Sequence, residues 1–106
     1  MLIELRQYRC QPGERDNWVT FMNEVIIPFQ VAKGMVIVGS FLGEAEDDHY
    51  IWIRRFDNED HRKALYAAVY ESDEWVNDIS PKIPRMLIRE KIDVTRMIPT
   101  ASSMIR

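Results

Sequence analysis

Three residues near the start of the chain carry most of the chemistry its sequence offers: Glu4, Arg6 and Tyr8. Spaced two apart, they share one face of an extended strand, setting a carboxylate, a guanidinium and a phenol in a row. The carboxylate and the guanidinium can pair, and the phenol adds a hydrogen-bond donor that stays neutral at ordinary pH. Two readings follow. One is an ion-pair network that fixes how two copies of the chain register. The other is a ligand site, with Glu4 and Arg6 as its polar base and Tyr8, Trp52, Arg54 and Phe56 as its walls. In that site Arg6 and Tyr8 orient a polar or anionic atom while Trp52 and Phe56 hold an apolar body.

The remaining candidates are weaker. His49 and His61 lie in different elements, and the lone Cys10 is remote from both, so no zinc spacing emerges. Either imidazole could act as a general base, but a surface role is the plainer reading. Nothing flanking Cys10 except Arg9 would activate its thiol. The run Glu46-Asp47-Asp48-His49 has the residue types of a cation site, yet consecutive acids in a turn point in different directions. No glycine-rich phosphate loop, C-x-x-C, H-E-x-x-H or G-x-S-x-G is present. Neither histidine stands where an axial haem ligand can be argued, so no cofactor and no metal are expected.

The elements that must position these groups can be read from periodicity. Leu2 to Tyr8 alternates as a strand, ending before Pro12-Gly13. From Glu14 to about Lys33, Trp18, Phe21, Met22, Val25 and Phe29 recur at helical spacing, with Gly34 as the stop. Pro28 lies inside that pattern and should kink the helix or end it a turn early. Met35 to Gly43 reads as a second strand, with Gly39 marking a bulge or a close backbone approach. A polar turn leads to a third strand, His49 to Phe56. There Tyr50, Trp52, Arg54 and Phe56 share one face, Ile51 and Ile53 the other. Asp57-Asn58 caps a helix to about Tyr70 whose apolar stripe is Leu65, Ala68 and Val69. Trp75, Val76, Ile79 and Ile83 continue as a short irregular helix broken by Pro81 and Pro84. Met86 to Ile98 then alternates as a last strand.

The order β-α-β-β-α-β predicts an α+β, ferredoxin-like domain over residues 1–98: a four-stranded antiparallel sheet with both helices on one face. Residues 99–106 form a patternless C-terminal tail, an arm over a partner or a disordered end. Two helices cover one face only. The other is expected to carry Leu2, Tyr8, Trp52 and Phe56 and to pack against a second copy, giving a homodimer or a higher even oligomer.

Composition bounds the rest. The chain has 106 residues, 46% of them hydrophobic and 29% charged, which suits one folded domain. A net charge of -3 argues against general nucleic-acid binding. Residues 44–78 hold eleven acids against four bases, read as solvated turns and helix starts or as one half of a self-complementary surface. No apolar run reaches the roughly 18–20 residues of a membrane span. Glu4 and Arg6 interrupt the short apolar start as no signal peptide would. One cysteine builds no internal disulfide, so a cytoplasmic setting is expected.

Several of these residues together resemble a known family. Glu4-x-Arg6-x-Tyr8 followed by Pro12-Gly13 is similar to the opening strand of NIPSNAP domains, and Trp52 with Phe56-Asp57 to their third strand. Arg62, the Asp73-Glu74-Trp75 element and Glu90 in the last strand extend the likeness across nearly the whole chain. Phe56 departs from it, standing where tyrosine is common, and Pro81 to Arg85 is irregular where the family's helix ends smoothly. The resemblance implies the dimeric α/β-barrel superfamily. It implies no single reaction, since that superfamily contains cofactor-free monooxygenases, dehydratases and haem enzymes. Three functional expectations stand together. The first is a homo-oligomer binding a small, partly apolar or phenolic ligand in a barrel or interface pocket. The second is a cofactor-independent monooxygenase acting on a phenol or quinol, drawing on Tyr8, His49 and Arg54. The third is a structural or interaction subunit without turnover.

Overall fold

The computed structural model describes residues 1–106. Strands β1 (Leu2–Arg9), β2 (Val36–Leu42), β3 (His49–Phe56) and β4 (Asp93–Met97) form one antiparallel sheet in the order β2-β3-β1-β4. This is the expected ferredoxin-like order, with β1 and β3 central. Along β3 burial alternates residue by residue, so the period-two pattern is a literal record of two faces.

The face of Glu4, Arg6, Tyr8, Tyr50, Trp52, Arg54 and Phe56 is the one the helices cover, not the uncovered one expected from the sequence. Alternation separates two faces without saying which is covered. The helices decide it by supplying partners for the charges: Gln30, Arg62, Tyr66 and Tyr70 all bond to groups of this row. The opposite face carries Ile3, Leu5, Ile51, Ile53 and, on β2, Val36 and Phe41. Part of it is covered by the chain's own end. Residues 98–105 return over Ile3, Ile53 and Met97, and the Arg106 carbonyl accepts from Arg55 Nε at 2.9 Å.

The first helical stretch runs through Pro28 without ending. It comprises α1 (Arg15–Phe21), a π-helical turn (Met22–Ile26) and α2 (Ile27–Ala32). Proline cannot return a hydrogen bond to residue 24, and its ring would press on that carbonyl. The wider turn just before it, in which the Ile27 N–H reaches the Met22 carbonyl, makes the room. Gly34 ends the helix at φ 107°, a conformation open to glycine. At Gly39 the expected bulge is present, with the β2–β3 register shifting between Ile37 and Gly39; what lies close to it is the Phe41 ring, where a β-carbon would sit, and not another backbone.

Helix α3 (Glu59–Tyr70) is capped by Asn58, whose side chain accepts from the His61 N–H at 2.8 Å. A second π turn (Trp75–Ile79) and a 3-10 turn (Ser80–Lys82) follow. The expected last strand is shorter than its alternation suggested. Residue 87 makes only an isolated bridge to Cys10, a 3-10 turn occupies Arg89–Lys91, and β4 begins at Asp93. Glu90 is thus in a turn, not a strand. The core falls into two clusters, one around Tyr8, Trp18, Met22, Ile26 and Trp52, the other of Met35, Phe56, Leu65 and Val69.

Candidate functional site

Glu4 and Arg54, opposite each other on β1 and β3, are both fully buried and meet at 2.9 Å. An unpaired charge in that position would be prohibitive, so the surrounding bonds are the condition of the fold. Glu4 accepts from Arg54, from Arg62 Nε at 2.9 Å and from the Tyr66 hydroxyl at 2.7 Å. Burial alone would raise its pKa. The charge of Arg54 and the hydrogen bonds from Arg62, Tyr66 and Arg54 outweigh that and hold it below the usual carboxylate value.

Arg54 uses both terminal nitrogens twice: toward Gln30 Oε1 (2.9 Å), Tyr70 Oη (2.7 Å), Glu4 and Tyr66 Oη (2.8 Å). Its guanidinium lies 4.7 Å from the Trp52 ring centre and 5.1 Å from that of Tyr66. Only Nε is without a partner. The side chain is a locked structural centre with no hydrogen-bonding capacity to spare at its terminal nitrogens.

Arg6 is placed differently. Its Nε donates to the Tyr8 hydroxyl at 2.9 Å and one terminal nitrogen reaches Tyr66 Oη at 3.4 Å. Its approach to Glu4 is looser, at 3.9 Å, because that carboxylate is already engaged. Tyr8, Tyr70 and Trp18 line a partly open cavity of about 100 Å³ between sheet and helices. Met22, Ile26, Trp75, Ile83, Leu87 and Ile92 complete the apolar wall, and Arg89 stands at its edge. Both π turns reach it, through Met22 and Ile26 in one and Trp75 in the other.

The polar groups on this wall are of one kind. The Tyr8 hydroxyl receives a hydrogen bond from Arg6 and gives none. That of Tyr70 receives bonds from Arg54 and Gln30 and gives none. The buried Trp18 indole N–H has no partner. Three residues that line one cavity thus each carry a donor without an acceptor, in a protein interior where such groups are ordinarily paired. Burial pushes the Tyr8 hydroxyl above the ordinary phenol value, so at neutral pH it keeps the proton it can donate.

Of the six residues expected from the sequence, Glu4, Arg6, Tyr8, Trp52 and Arg54 share one connected network, while Phe56 sits in the second cluster beside Tyr66 and His61. Tyr8 alone among them lines the cavity, with Arg6 directly behind it. Tyr66, Tyr70 and Gln30 escaped the sequence reading. Arg62, Tyr66 and Tyr70 recur every four residues beside the Leu65 and Val69 stripe, and that spacing was the available signal. His49 belongs elsewhere: it bonds to Gln7 at 3.0 Å on the opposite face. The His61 ring accepts from the Asp57 N–H near the start of α3. Cys10 is buried, and that burial pushes its thiol up to about 11, away from nucleophile chemistry. No group of three histidine, cysteine or acidic side chains converges as a metal site would require.

Residues 3–104 match the NIPSNAP family. No curated protein matches the chain significantly. Among solved structures, a NIPSNAP family protein of unknown function from Agrobacterium tumefaciens superposes with a TM-score of 0.88 at 22% identity, covering 100% of this chain and 94% of the other. An uncharacterised NIPSNAP domain protein from Burkholderia xenovorans gives 0.85 at 18% identity, over 97% and 98% of the two chains. A protein described as an antibiotic biosynthesis monooxygenase gives 0.67 at 17% identity, over 94% and 99%. At these identities the likeness is one of fold.

Proposed function

The chain belongs to the NIPSNAP family, and from that premise we propose that it binds a small, partly apolar molecule in the cavity between its sheet and its helices. The observation that carries this reading is an apolar cavity lined by Tyr8, Tyr70 and Trp18, whose hydroxyls give no hydrogen bond and whose indole N–H has no partner. A ligand with an acceptor atom completes those bonds, and its body gains the apolar contacts of the wall. A volume of about 100 Å³ is small beside the ~300 Å³ at which ordinary ligand pockets begin. The ligand body is therefore a few heavy atoms, or the π turns yield to admit more.

2-Butanone, an apolar body with one acceptor oxygen, is a direct probe. Titrated into the full chain, it should shift the Trp18 indole N–H resonance, and Ile83→Phe, which fills the cavity, should abolish the shift. A Trp18 resonance that does not move, or that moves equally in the filled variant, contradicts the proposal.

Catalysis of the monooxygenase kind is the second reading, and the monooxygenase-like neighbour favours it at the level of fold. Of its three candidate groups, only Tyr8 lines the cavity; His49 is on the other face and Arg54 is saturated at its terminal nitrogens. A tyrosine that holds its proton tightly serves better as a donor than as a base. Oxygen uptake with a quinol that disappears in Tyr8→Phe would establish turnover over simple binding.

Self-association belongs to the same proposal. Leu5, Ile51, Val36 and Phe41 share the face that the helices leave open, and a second copy presenting the same face would bury them. A cytoplasmic setting fits the single, buried, unreactive cysteine.

A further inference from the structure

Glu4 is the one carboxylate that Arg6, Arg54 and Arg62 share, and two of the three hold it at 2.9 Å. Arg62 shares Glu59 as well, and Glu59 is also paired to Arg96. Four guanidiniums thus share two carboxylates, leaving an excess of positive charge. The member with the weakest claim is Arg6, 3.9 Å from Glu4 with its side chain only 14% exposed. Its position is beside the cavity, since the hydroxyl it bonds is that of Tyr8. Arg89 adds a second cation at the cavity edge, its other contacts being the neutral carbonyl and hydroxyl of Ser80.

Charge and hydrogen bonding therefore ask for the same partner. The cavity wall offers donors without acceptors, and the charge behind it has only a distant, shared counter-ion in Glu4. In a largely buried position a guanidinium with only a shared counter-ion attracts an anion more strongly than it would in solvent. Resting on the binding function proposed above, we infer that the ligand is a small organic anion, a carboxylate or enolate. Its charged head is held by the hydroxyls of Tyr8 and Tyr70 and the Trp18 N–H, with the charge of Arg6 acting from behind through Tyr8, and its short apolar body lies against Ile26 and Ile83. Tyr70 lines both this cavity and an open surface groove with Arg62, Lys63, Tyr66 and Glu71, so the two lie on either side of one side chain. Lys63 and Arg62 outnumber Glu71 on that groove, so the surface beside the cavity is also cationic. Both tyrosines of the site act as donors, and burial keeps Tyr8 protonated and neutral, so it does not cancel the charge of Arg6.

Butyrate and butyramide test this, being nearly the same in shape and differing in charge. Both are titrated into the full chain at pH 7 while the Trp18 indole and Arg6 Nε resonances are followed. Butyrate should bind at least tenfold more tightly, the scale of a charge-assisted hydrogen bond. Arg6→Gln should bring butyrate down to the affinity of butyramide, while Arg6→Lys, which keeps the charge, should retain part of the preference. Equal binding of the two probes by the unaltered protein overturns the anion inference and leaves the cavity function standing. Binding of neither overturns both. A preference that survives in Arg6→Gln places the anion elsewhere and also overturns the inference. The comparison of the two probes on the unaltered protein stands even if a variant fails to fold.

Discussion

Glu4 is where the chain's chemistry and its stability meet. Removing its charge leaves Arg54 buried and uncompensated, and breaking such a pair from one side typically costs about 3–5 kcal/mol. Glu4→Gln should therefore lower the unfolding free energy by about 3 kcal/mol, read from the urea midpoint at constant slope. Its folded pKa lies below the unfolded value, so its stabilising contribution is complete above about pH 4.3 and is lost as pH falls through the depressed folded value. An acid titration of stability should show this loss in the unaltered protein and not in Glu4→Gln. Tyr66→Phe should cost less, about 1–3 kcal/mol, since it removes one donor to Glu4 and one acceptor for Arg54 while keeping the ring. A Tyr66→Phe protein as stable as its parent would show that the hydroxyl is dispensable to the network.

Elements rather than single residues decide which groups meet. Helix α3 delivers Arg62, Tyr66 and Tyr70 to the sheet at intervals of four residues, and its start depends on Asn58. Asn58→Ala should cost about 1 kcal/mol and leave the denaturant slope unchanged; a loss of a few tenths would mean that tertiary contacts hold this end alone. The strands and helices were largely legible in the sequence because alternation and helical spacing are direct imprints of faces. The breaks were less so. Pro28 announced a disturbance but not its form, because a widened turn accommodates proline as well as a helix end does. Residues 86–92 alternate like a strand, yet only Leu87 bridges a neighbour and the chain turns at Arg89–Lys91. Periodicity records side-chain character and carries no information on whether a backbone partner is in reach.

At the scale of the whole molecule the sheet has two different faces. Glu4, Arg6 and Tyr8 on one strand and Trp52, Arg54 and Phe56 on another were legible in the sequence as two rows of one candidate site, but their covering by the helices was not. A carboxylate and guanidiniums ordinarily face water or a partner, and here the helices bring Gln30, Tyr66 and Tyr70 to satisfy them. The cavity was invisible for a related reason: Trp18, Met22 and Ile26 read as packed core, and a void is a property of how side chains fail to meet. The uncovered face leads to its own expectation. Phe41, half exposed on the edge strand β2, is the bulkiest exposed side chain of an apolar face that self-association would bury. Light scattering coupled to gel filtration should report a dimer for the unaltered protein and a monomer for Phe41→Glu; a monomer in both cases would contradict face-to-face pairing. The central claim, that the cavity between sheet and helices holds a small molecule, is tested most directly by a native mass spectrum of the protein as purified from cells, set beside that of Ile83→Phe. The account predicts a releasable extra mass on the unaltered protein and none on the filled variant. No extra mass, or the same mass on both, would contradict it.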